Sequence, residues 1–193
     1  MQLSRKRIRR SSAFRPSSGD ESGDFMKKIW NEDEVSLEAL AAHIEDSGIG
    51  HDANAARIIV HTESGLAYQL TLDENKKFIR FTTYFPVALH ACSEKKRELE
   101  HGLNSQVFMA SFWIDSDNDL VVDYPLSYGH GLVAGNFMAV LHRFASMLDF
   151  VIREKNDEGL ILLGPNAAHA SNEDEIDPEG TPVCMTESAR LLN

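Results

Sequence analysis

The stretch Asp115-Ser116-Asp117-Asn118-Asp119 carries oxygen-bearing side chains at alternating positions, as a calcium loop does at its start. A helix–loop–helix calcium site also requires glycine at position six and glutamate at position twelve. Leu120 and Leu126 occupy those places, and the flanks read as strands. Asp and Asn suit a hairpin turn better, because their side chains bond nearby backbone and tolerate left-handed conformations. Gly129-His130-Gly131 with Gly135 is a second candidate, a phosphate-cradling loop between a strand and a helix. Its spacing, G-x-G-x-x-x-G, is not the dinucleotide fingerprint, Pro125 interrupts the run from the strand, and no parallel βαβ unit follows. A tight turn with close helix packing accounts for these glycines. His90 and Cys92, with His101 nearby, are a third candidate, for a metal or for a cysteine nucleophile with a histidine base. Structural zinc needs four ligands, and the others are missing from this neighbourhood. Two surface histidines and a small buried or half-buried cysteine are the plainer reading. Carboxylates abound, and a charge-rich surface explains them. No set of residues spells out a reaction, so we expect no catalytic residue and no cofactor.

The elements around these candidates are more informative. Ser36 is placed to cap a helix in which Leu37, Leu40, Ala41 and Ile44 share a face, and Gly48 stops it. Three strands follow, Arg57–Thr62, Leu66–Leu72 and Phe78–Phe85, the last ended by Pro86. Leu66, Tyr68, Leu70 and Leu72 point one way, as do Ile79, Phe81 and Phe85, and short polar turns join the strands into an antiparallel meander with one buried face. Ser93 starts a charged helix, Glu94–Gln106, that rests on the surface through Leu99 and Leu103. Val107–Ile114 and Leu120–Tyr124 form a hairpin that Pro125 stops. After the glycine turn comes the longest helix. Its Val133, Phe137, Val140, Leu141, Phe144, Leu148, Val151 and Ile152 recur at steps of three and four, an apolar stripe that covers one face of the sheet. The pattern predicts an α+β fold, a five-stranded antiparallel sheet with helices packed on it, in the order α-β-β-β-α-β-β-α.

With 193 residues, 42% of them hydrophobic, the chain is long enough for one domain with a substantial core. We place that domain at residues 29–163, between a disordered basic tail, 1–28, and an acidic, largely disordered tail, 164–193. Met26-Lys27-Lys28 reads as a natural start, which would make residues 1–25 an upstream extension of the frame. The net charge of −11 is unevenly spread: residues 1–25 carry six Lys/Arg against three Asp/Glu, residues 164–193 one against six, and the middle 12 against 21. Phosphate backbones repel so negative a body, which argues against nucleic acid as a partner. Only the cluster Arg5-Lys6-Arg7-Ile8-Arg9-Arg10 could contact one, or an anionic membrane. No apolar run approaches the ~20 residues of a membrane span, and no apolar segment follows the N-terminal basic residues as in a secretory signal. Cys92 and Cys184 make no disulfide framework, so a reducing cytoplasm is expected.

The strand Val107–Ile114 is apolar on both faces: Phe108, Ala110, Phe112 and Ile114 on one, Val107, Met109 and Trp113 with Ser111 on the other. Such a strand is covered twice. The long helix covers one side. A second chain or a ligand protein covers the other, or else the second helix or a tail does, and both readings stay open. Phe78 and Tyr84 lie on the non-core face of their own strand. Val107, Met109, Trp113, Phe78 and Tyr84 are therefore the residues expected at a partner or dimer interface.

Taken together, Leu103-Asn104, Val107–Ile114, Asp119–Pro125 in a hairpin of D-x-x-L-V-V-D-x-P-L character, the turn from Gly129 to Gly131, and Asn136–Phe144 resemble the YbjN family, over roughly residues 33–155. Members of that family are similar in fold to type III secretion (Tir-like) chaperones. The resemblance implies a cytoplasmic, acidic, non-enzymatic protein, a regulator of sensory transduction. It also implies relatives that act as dimers, holding an unfolded client segment against apolar strand and helix surface. Fold likeness alone does not transmit function. The expectation is a non-enzymatic protein-binding module of the regulator or chaperone type, a cytoplasmic homodimer that captures a partner protein of unknown identity. The alternative is a small-ligand or metal-binding protein using Asp115–Asp119 or His90, Cys92 and His101.

Overall fold

The computed structural model describes residues 29–89, 91–156 and 158–163; the expected tails, the Arg5–Arg10 cluster and His90 lie outside the described residues. The elements run β1 (Ile29–Trp30), α1 (Leu37–Asp46), β2 (His51–Ala53), β3 (Ile58–His61), β4 (Ala67–Asp73), β5 (Phe78–Pro86), α2 (Ser93–Gln106), β6 (Ser111–Ile114), β7 (Asp119–Ser127), β8 (Leu132–Val133) and α3 (Ala134–Glu154). The main sheet is antiparallel, in the order β2-β3-β4-β5-β7-β6, and β1 pairs with β8 in a separate two-stranded ribbon. The fold is α+β as the patterning predicts, with six strands in the main sheet rather than five. The additional strand is β2, three largely exposed residues paired with β3, too short and too polar to show alternation.

Local chemistry fixes the helix ends. The Ser36 hydroxyl accepts from Ala39 N at 3.1 Å, taking up one of the unpaired N–H groups of α1's first turn. At the other end Gly48 has φ +73°. Gly48 N donates to Glu45 O at 2.8 Å and Ile49 N to Ile44 O at 3.3 Å, the paired closing bonds of a Schellman motif.

The core lies on one face of the main sheet. Ile58 and Val60, Tyr68 and Leu70, Ile79, Phe81 and Phe85, Phe112, and Leu120 and Val122 meet there with Leu40 and Ile44 of α1, Leu103 of α2, and Phe137, Leu141, Phe144, Leu148 and Val151 of α3. Phe144 is edge-on to Tyr68, with centroids 5.1 Å apart, and 5.6 Å from Phe81. The Tyr68 hydroxyl finds its partner in the helix, donating to Leu141 O at 3.0 Å. Among the described residues, α1, α2 and α3 all bury apolar side chains in this cluster, on the face opposite Tyr84, Val121 and Trp113, while Leu99 of α2 also packs on a small second cluster of Ala88, Ala91 and Leu160.

Two proline and glycine positions mark where the chain departs from simple patterning. β7 runs through Pro125 to Ser127 instead of stopping. β6 reaches only as far as Ser111, opposite Asp123, so Pro125 stands where β7 is an edge on that side and its missing N–H costs no ladder bond. Gly131 has φ +92°, and a Cβ built on it would meet Trp30 O at 2.8 Å. Only glycine lets β8 approach β1 that closely.

Candidate protein-binding surface

The chemistry candidates resolve into turns and structure. The Asp115 carboxylate accepts from Asp117 N and Asp119 N, both at 3.0 Å, and Asn118 adopts φ +68°. The Asn118 side chain donates to Val87 O at 2.6 Å and accepts from Lys96 Nζ at 2.7 Å. The acidic run is a hairpin turn whose first carboxylate serves the backbone. Cys92 lies half-buried at the N-cap of α2. His101 is exposed on α2. Among the described residues no group of three or more His, Cys, Asp or Glu side chains is placed to hold a metal ion. Nor is any helix among them long and apolar enough to cross a membrane.

The outer face of the sheet is more distinctive. Directly opposed residues share a face, so the registers place Tyr84, Val121 and Trp113 in one row across β5, β7 and β6. Tyr84 and Trp113 are 49% and 40% exposed, while Val121 between them is 3% exposed. Pro86, exposed, comes next on that side of β5. Beyond it the chain returns after α3: Leu162 N donates to Pro86 O at 2.8 Å beside the Val87–Ile161 bridge. Ile161 points into the core, so Leu162, 40% exposed, points out beside Pro86. Asn156, itself buried, holds this return by donating to Ile161 O and accepting from Ile161 N. The result is a contiguous apolar patch at one end of the face.

The adjoining row is polar. Asp123, 6% exposed as a residue, accepts from Arg80 Nε at 3.2 Å, from the second Arg80 nitrogen at 2.8 Å, and from the Thr82 hydroxyl at 2.9 Å. A bidentate bond of this kind fixes both the plane and the position of the guanidinium. The hydrogen bond to Asp123 outweighs the opposing effect of burial and holds Arg80 above its ordinary pKa, so it is a permanent cation at the rim of the patch.

The residues expected at an interface divide between two places. Trp113 and Tyr84 are in the outer patch. Phe78 is on the outer face too, but opposite Ser127 and Asp73 at the far end, six residues and about 20 Å from Tyr84 along the strand. Val107 is the C-cap of α2 and lies in the core, and Met109 packs partly against it. The expected eight-residue strand begins only at Ser111, so residues 107–110 do not alternate, and Phe108 is left fully exposed. Sequence reasoning missed Val121, Pro86 and Leu162. Val121 falls in the expected strand Leu120–Tyr124, to which the pattern assigns no faces, and Leu162 joins only through the return after α3.

Comparison with known proteins adds kinship. Residues 36–154 match the model of the YbjN family, described as "Putative bacterial sensory transduction regulator". No curated protein matches the chain. Among solved structures, the crystal structure of YbjN, "a putative transcription regulator from E. coli", is similar with a TM-score of 0.57 and 21% identity, covering 67% of this chain and 97% of that one. At that identity the likeness speaks for the fold, and it agrees with the helix-on-sheet arrangement found here. The family match spans well over half of the 193 residues: the chain belongs to the YbjN family.

Proposed function

We propose that this protein is a non-enzymatic regulator that acts by binding a partner protein on the outer face of its sheet, and that it does so as a homodimer. The observation that carries the reading is the row Trp113–Val121–Tyr84, continued by Pro86 and Leu162, on the face that none of the three helices covers. Two half-exposed aromatics beside a buried valine form the kind of anchor in which binding energy concentrates. Arg80, held in place by Asp123, adds an oriented cation for a carbonyl or carboxylate at the rim. The family's description as a regulator supports a role whose output is binding rather than chemistry. Cytoplasmic placement rests on the resemblance.

The functional test compares tagged wild type with the Trp113→Ala/Tyr84→Ala variant, recovering partners from native cells with mass spectrometry. The variant should lose the partner while still folding, read as a cooperative melting transition. Recovery of the same partner in equal yield would remove the outer patch from the account. Light scattering reads the oligomer, and a monomeric mass would remove the homodimer.

A further inference from the structure

The outer edge of β6 is closed by side chains rather than by a strand. An edge strand presents a row of N–H and C=O groups that any extended chain can pair with. On β6 the groups facing that edge belong to Phe112 and Ile114. Asn104 Nδ2 donates to Phe112 O at 2.7 Å, and Phe112 N donates to Asn104 Oδ1 at 3.0 Å. Ile114 N donates to the Glu100 carboxylate. The Asn104 amide thus supplies one donor and one acceptor, as a neighbouring backbone unit would. Residues 100 and 104 are one helical turn apart on α2 and reach the same edge. A further bond from Asn104 Nδ2 to Glu100 O, at 2.9 Å, fixes the rotamer.

The edge they close is self-complementary. In an antiparallel pair, residues whose N–H and C=O both face the partner strand form the hydrogen-bonded pairs, and the residues between them form the close non-bonded pairs. A two-fold axis at Trp113 would set Phe112 of one copy against Ile114 of the other, twice, with the two tryptophans facing each other between them. Leu103 is the one fully buried side chain of α2, with Leu99 partly buried beside it and Lys96 bonded to Leu89 O and Asn118 Oδ1. The stripe of α2 opposite the plug, including Lys95, Glu98 and Gln106, borders a groove of about 410 Å³ rather than packed protein.

We propose that Asn104 and Glu100 form an edge plug that prevents β6 from pairing with β6 of a second copy. The test is the Glu100→Ala/Asn104→Ala variant, studied by sedimentation and by amide exchange across a range of protein concentrations. Its mass should be at least double that of wild type, whatever the wild-type state. The Phe112 and Ile114 amides should exchange at least ~10-fold faster than in wild type when dilute, and regain protection when concentrated. An unchanged mass at every concentration overturns the proposal. So does a doubled mass with those two amides still unprotected. If the double variant does not fold, Asn104→Asp decides by the same two readouts, since it keeps size and acceptor but sets a carboxylate against Phe112 O. The wild-type mass tests the homodimer and the variant-to-wild-type ratio tests the plug, so the two can fail separately.

Discussion

Arg80→Ala should destabilise the fold more than Asp123→Ala, although Asp123 is the more buried of the two. The Asp123 side chain is 9% exposed and that of Arg80 48%. Removing Asp123 leaves a guanidinium whose exposed half is readily hydrated, plus the hydroxyl of Thr82, a residue 8% exposed, short of its acceptor. That loss is on the order of 1–2 kcal/mol. Removing Arg80 instead leaves a carboxylate nearly out of water and held only by Thr82. Breaking a fully buried pair in this way costs about 3–5 kcal/mol. The half-exposed guanidinium and the surviving Thr82 bond reduce the figure here to about 2–3 kcal/mol. The double variant removes both charges, so the two effects should not add, and the coupling energy should be about 1–2 kcal/mol. Urea unfolding of wild type, both single variants and the double variant measures all three quantities. Coupling below about 0.3 kcal/mol, within the usual error of additivity, would refute the reasoning. So would an Asp123→Ala variant less stable than Arg80→Ala. In either case Arg80 would not be held at the rim of the patch.

Gly131→Ala should lower stability by about 1–3 kcal/mol, because φ is +92° and the new Cβ would meet Trp30 O at 2.8 Å. Gly135→Ala, in the first turn of α3 with nothing within 4 Å, should raise it by about 0.4–1 kcal/mol; opposite shifts in thermal midpoint check the pair. Burial pushes the Tyr68 hydroxyl well above its ordinary value. The unfolded chain then ionises first as pH rises, so this contribution to stability is intact below pH about 10 and lost above it. Tyr68→Phe should flatten that alkaline decline in pH-dependent denaturation, at a cost of about 1 kcal/mol at neutral pH for the lost bond to Leu141 O. An unchanged alkaline limb would place the titrating group elsewhere.

Elements with a full period were legible in the sequence. Ser36, the Leu40 and Ile44 face and Gly48 define α1 from both ends, and the alternation of β4 and β5 assigns Tyr68, Leu70, Ile79 and Phe81 to the core and Tyr84 to the outer face. The two-residue strands β1 and β8 and the three-residue β2 have no period to read. The apolar run at 107–110 misled for a physical reason. Val107 is apolar because it plugs the core as a helix cap, and its neighbours bend, so their hydrophobicity does not report a strand face. The polar half of the surface depends on register. Asp123 meets Thr82 and Arg80 across β5 and β7, forty-one and forty-three residues away, and no local signal links them. Leu162 joins the patch only because Asn156 turns the chain back onto β5 after α3.

The most direct test of the outer patch is quantitative partner recovery by wild type and by Trp113→Ala/Tyr84→Ala, each confirmed as folded by its melting curve. The account predicts a partner protein recovered by wild type and lost by the variant, which still melts cooperatively. Equal recovery of that partner by both proteins would contradict it.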